Sequence, residues 1–69
     1  MDTAEVLPDE PLRAWDWRAE LYKQQRSIPW LARQTDRADM TVYRYSWGRE
    51  KPTLDWLRKA AEILNWSPE

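Results

Sequence analysis

The sequence predicts a compact all-α domain of four to five helices. Three observations predict it. Apolar residues recur at helical spacing in each segment, capping residues and a single glycine mark where segments start and stop, and no stretch alternates as a half-buried strand would.

The first eight residues are acidic, lack a period and end at Pro8, so they read as a tail open to disorder, with one domain expected over residues 9–69. The first helix then runs to about Gln25. Asp9 or Glu10 can accept from free backbone N–H groups, and Pro11 suits a first turn, where its missing N–H has no intrahelical partner. Ala14, Trp17 and Leu21 supply the apolar face, with Trp15 and Tyr22 as further candidates.

Ser27 is placed to cap a second, short helix, with Pro29 in its first turn, Leu31, Ala32 and Thr35 facing inward, and an end near Thr35. Asp36 then turns the chain, since Asp is one of the few non-glycine residues that tolerate left-handed backbone. The third helix is expected from about Ala38 to Trp47, with Val42 and Tyr45 inward and Gly48, the one glycine of the chain, as its stop. Arg49-Glu50-Lys51-Pro52 is a polar connector. Beyond it Thr53 caps a fourth helix to about Asn65, whose main stripe is Leu54, Leu57, Ala61 and Leu64, the spacing of one helical face.

With 69 residues, of which 42% are apolar and six are tryptophan, the chain can build one small core. Each indole buries on the order of 150 to 250 Å². There is no cysteine and no histidine, which excludes disulfide frameworks, zinc fingers, thiol nucleophiles and imidazole-dependent catalysis. The acidic residues lie mostly at helix starts or among Lys and Arg, with no glycine-rich phosphate loop, so the chain is expected not to be an enzyme and to need no cofactor or metal. The N-terminus has no apolar run for a signal peptide or membrane span, so a cytoplasmic protein is expected.

A net charge of −1 hides a strong asymmetry. Residues 1–20 carry six acids against two bases, whereas residues 23–51 carry seven bases against three acids. A salt-bridged surface would account for this; so would a basic face for nucleic acid.

A short helix, a turn of three or four residues and a second helix closed by glycine form the arrangement that lets one helix lie in the major groove while the other braces it. The residues here resemble the lambda-repressor-like (Cro/C1, XRE-type) helix-turn-helix family over about Ser27 to Leu64. The resemblance rests on Leu31-Ala32, Thr41-Val42 with Arg44, Gly48, Pro52 and the Leu54/Leu57/Ala61/Leu64 stripe. Asp36 stands where the family usually has glycine, Arg37 where a small aliphatic is usual, and Ser46 where glutamate is common.

The resemblance implies that double-stranded DNA is the partner and that Asp39, Met40, Tyr43 and Arg44 read base edges from the third helix. A guanidinium at Arg44 can bond bidentately to guanine O6 and N7, worth roughly 1 to 3 kcal/mol of discrimination; the alternative is a solvated surface arginine. Asp39 can accept from a cytosine amino group or simply suit the helix dipole, and the dipole reading is preferred. Met40 and Tyr43 can meet thymine methyls or sugars, or pack between helices. Phosphates would be met by Ser27, Arg33, Arg37, Thr41, Arg49 and Lys51. Trp47 is expected to pack on the fourth helix rather than lie on the DNA backbone, and Trp30 carries the same two readings.

Trp56, Ala60, Ile63 and Trp66 form a second apolar stripe on the fourth helix. Either the first helix or a symmetry mate can cover it; the expectation is a homodimer interface through Trp56, Ile63 and Trp66. The function expected is that of a small Cro-like repressor of phage or mobile-element type acting by operator occupancy, without a small-molecule ligand. The alternatives are an excisionase-like architectural DNA binder and a protein-interaction module such as an antitoxin or antirepressor.

Overall fold

Trp15 and Trp17 are two residues apart, which on one continuous helix would turn them about 200° from each other. Both are buried. The computed structural model, which describes residues 9–66, reconciles the two by breaking the first predicted helix into α1 (Asp9–Ala14) and α2 (Trp17–Lys23). Trp15 N–H closes the end of α1 on the Leu12 carbonyl at 3.2 Å. Asp16 caps α2, its carboxylate accepting from Ala19 N–H at 3.3 Å. The break corrects the expected apolar face: Leu12, Trp15, Trp17 and Leu21 are inside, Ala14 is exposed, and Tyr22, 85% exposed, lies well round the helix from Trp17. The acidic tail expected over residues 1–8 lies outside the described residues.

The next three helices follow the expected boundaries closely. They are α3 (Ile28–Gln34), α4 (Asp39–Trp47) and α5 (Leu54–Ile63). Ser27 Oγ accepts from Trp30 N–H at 3.2 Å and Thr53 Oγ1 from Trp56 N–H at 3.1 Å, each satisfying a donor that the first turn leaves free. No strand occurs among the described residues, and the fold is all-helical as the sequence predicts.

Helices α2 to α5 all end in the same way. The residue after the last turn takes left-handed backbone at Gln25, Asp36, Gly48 and Asn65, with φ of 59°, 58°, 76° and 56°. The following N–H then reaches back to a carbonyl five residues earlier: Arg26 to Leu21, Arg37 to Ala32, Arg49 to Arg44 and Trp66 to Ala61, at 2.8–3.0 Å. This is the Schellman closure. Asp36 turns the chain as expected, without the glycine the closure favours.

The core lies between α5 and the rest. Leu12, Leu31, Val42, Trp56 and Leu64 are almost fully enclosed, and Ala60 and Ala61 let neighbouring helices approach α5 closely. Trp56 receives Trp17 and Tyr45 edge-on at ring-centroid distances of 5.1 and 5.0 Å. Its Nε1–H donates to Thr35 Oγ1 at 3.0 Å, and the Thr35 hydroxyl donates in turn to the Leu31 carbonyl at 2.8 Å. A buried polar group without such a partner costs about 1 to 3 kcal/mol, so this chain of bonds fixes α5 against the end of α3.

Within the second stripe of α5, Trp56 is enclosed by the chain itself, which removes it from the expected dimer interface, whereas Ile63 and Trp66 are half-buried. Trp56 is 1% exposed and Ala60 fully buried, while Trp66 stacks on Trp15 at 4.6 Å and Ile63 packs against the core. The physical reason is that α5 is buried over a wide arc, with α1 on one side and the end of α3 on the other. No helix among the described residues is long and apolar enough to cross a membrane.

Candidate nucleic-acid interface

The turn Thr35-Asp36-Arg37-Ala38 joins α3 to α4, and α4 packs its inner side on the core through Val42, fully buried, and Tyr45, seated on Trp56. At about 100° per residue, Met40, Tyr43, Arg44 and Trp47 fall within one arc on the opposite side. Met40 is 50% exposed, Trp47 is 57% exposed, Arg44 is exposed and Tyr43 is half-buried. Tyr43 and Trp47 stack on each other at 5.7 Å, their planes 30° apart. Trp47 thus does not pack on the last helix, contrary to expectation, because one turn separates it from Tyr43 on the outward side.

Asp39 opens α4 as its first helical residue, exposed and about 100° round from Met40. Its neighbour Ala38 offers no side-chain cap, and Asp39 is the acidic residue of this first turn, where a negative charge suits the helix dipole.

The C-terminal end of α4 is pinned. Arg49 N–H and Gly48 N–H take the Arg44 and Tyr45 carbonyls, and the Arg18 guanidinium donates to the Ser46 carbonyl at 2.8 Å. Arg18 reaches this helix from α2, across 28 residues of sequence. It was not among the residues expected at the site, and no local pattern could have found so distant a partner.

The expected phosphate-contacting residues distribute around α4. Arg33 lies in the last turn of α3, Arg37 in the joining turn, and Arg49 and Lys51 just beyond Gly48; all four are exposed. Among the described residues the side chains of Arg33, Arg44, Arg49 and Lys51 engage no acid or carbonyl, and the Arg37 guanidinium donates only to the Asp36 carbonyl at 3.3 Å. Thr41 is half-buried on the flank of α4. Ser27 stands apart, capping the far end of α3, about 10 Å of helix away from the turn. Trp30 is half-buried against the core with the Arg26 guanidinium 4.6 Å above its ring, which assigns it to packing.

Among the described residues no three acidic groups are grouped to hold a metal ion. A cleft of about 240 Å³ between α1 and the connector, lined by Trp15, Trp17, Lys51 and Pro52 among others, and one of about 170 Å³ beside Tyr22 both fall below the roughly 300 Å³ at which small-molecule sites begin.

Compared with known proteins, the chain matches no family model, and no curated protein and no solved structure shows significant similarity to it.

Proposed function

We propose that this chain binds double-stranded DNA in a sequence-specific manner and acts as a small cytoplasmic transcriptional repressor of the lambda-repressor-like kind, with α3 and α4 as its helix-turn-helix. The observation that carries this reading is the outer face of α4, where an unengaged arginine, the exposed Met40 and Trp47 and the half-buried Tyr43 share the arc opposite the core. A soluble helix has no internal reason to hold that set outward, whereas the major groove offers guanine acceptors to the arginine and apolar methyls to the rest. Exposed bases before and after α4 supply phosphate contacts, with Arg33, Arg37, Arg49 and Lys51 as the set and Ser27 retained only as a helix cap. Two copies on a palindromic operator, with half-sites about 34 Å apart, would exclude polymerase by occupancy. Their contact has to come from a surface other than Trp56, which the fold encloses.

Binding-site selection from a random duplex library, at two salt concentrations and with Arg44→Ala in parallel, tests the proposal. Enrichment of a short motif whose guanine preference relaxes in the variant supports it. Absence of any enriched motif at either salt refutes it.

A second reading, a protein-interaction module, draws on the exposure of Trp47, Met40 and Tyr22, since aromatic residues and Met are enriched in protein interfaces. The unengaged bases flanking α4 favour DNA over that reading, and steep loss of binding with salt separates the two. An excisionase-like role fits less well, because α5 rather than a β-wing follows Pro52.

A further inference from the structure

The outer face of α4 is more than a place for one arginine. Met40, Tyr43 and Trp47 fall in one apolar strip along it by helical spacing, with Tyr43 and Trp47 held against each other as a stack. Seven residues of helix carry the strip about 10 Å, which is close to three base-pair steps at 3.4 Å each. Arg44 lies beside the middle of the strip, about 40° round the helix from Met40 and 60° from Trp47.

In the major groove the thymine C5 methyl is the largest apolar feature, set among hydrogen-bond donors and acceptors and the small C–H edges of the other bases. An apolar strip set beside a guanidinium, on a helix flanked by bases, is complementary to thymines placed beside a guanine. We infer that Met40, Tyr43 and Trp47 read thymine methyl groups, so that each half-site carries the guanine taken by Arg44 within a short run containing thymines. The inference rests on the duplex-DNA reading and extends it to the composition of the target and to Trp47 as a specificity residue. Stacking restricts both rings, so the surface they offer is rigid and loses little side-chain entropy when it closes on the methyls.

The test replaces thymine by deoxyuridine, one position at a time, in the duplex selected by the wild-type protein. This removes the methyl group and leaves the base-pairing edge intact. Substitution inside the motif is expected to weaken binding roughly fourfold per contacted methyl, and the same substitution outside the motif to change nothing. Trp47→Ala and Tyr43→Phe are compared, since Trp47→Ala should erase sensitivity at its own step while Tyr43→Phe, which keeps the ring, preserves it. Sequence-specific, Arg44-dependent binding that ignores the uracil exchange overturns the inference while leaving DNA binding intact. If Trp47→Ala instead changes the sedimenting mass of the protein without altering uracil sensitivity, the strip belongs to a contact between copies and the inference fails. Failure to select any duplex fails the underlying reading itself.

Discussion

Helices α4 and α5 are nearly equal in length, at nine and ten residues, and both carry aromatic side chains, yet they use them in opposite directions. In α5, Trp56 is enclosed by Trp17 and Tyr45 and its one polar atom is bonded to Thr35. In α4, Trp47 stands 57% exposed with Tyr43 stacked beside it. The difference separates the work of the fold from the work of a surface. An indole inside a domain this small is a large share of its core, while an indole outside gains little for folding and leaves apolar area for a partner to cover.

The contrast is broken most forcefully at Trp56. Trp56→Ala is expected to cost about 3 to 5 kcal/mol. A chain of this length has a total stability of roughly 3 to 10 kcal/mol, so the variant should lose about a third of its stability or more, read as a sharply lowered denaturation midpoint by circular dichroism. Trp47→Ala should keep its helical signal and its denaturation midpoint close to wild type. Equal loss at both positions would mean that the two helices do not differ as described.

Thr35→Val comes next. It removes the acceptor of the Trp56 indole and strands a buried N–H, with an expected loss of about 1 to 3 kcal/mol in urea denaturation. A neutral result would show that the indole does not depend on this partner. Arg44→Ala should leave stability within about 0.5 kcal/mol, because the side chain is exposed and makes no internal bond. The same variant should lose about 1 to 3 kcal/mol of discrimination for its guanine.

The smallest effect concerns a helix end. Gln25 holds left-handed backbone with a side chain that has no preference for it, so Gln25→Gly should raise stability by about 0.5 to 1 kcal/mol, read as a higher thermal midpoint. The gain at Asp36→Gly should be smaller, since Asp tolerates this conformation better. An opposite ranking would show that the closures are not limited by φ.

Capping residues and periodicity made α3, α4 and α5 legible, because Ser27, Gly48 and Thr53 act locally and their signals are local. The division of the first helix was readable in principle. Asp16 is a good cap, and two tryptophans at i and i+2 cannot share a helical face, but the later Trp17/Leu21 spacing suggested a longer helix and left Leu12 unnoticed. Trp56, in the second stripe of α5, misled for another reason. Periodicity reports that a face is apolar and not what covers it, and here α1 and Thr35 cover it from distant parts of the chain. At the candidate interface Met40, Tyr43 and Arg44 were named through the family resemblance, and in the structure Met40 and Arg44 are exposed while Tyr43 is half-buried. The exposure of Trp47 and the Arg18 contact depend on tertiary arrangement and carried no local signal.

The most direct test of the central claim, that the outer face of α4 meets DNA, uses the tryptophans as reporters. The six indole N–H groups of ¹⁵N-labelled protein can be followed by NMR while the selected duplex is added. The account predicts that the Trp47 indole and the amides of Met40, Tyr43 and Arg44 shift or broaden, while the Trp56 indole, bonded to Thr35, stays in place. A Trp47 resonance that does not respond while Trp30, Trp66 or the α1–α5 side does, or a spectrum in which nothing responds, would contradict it.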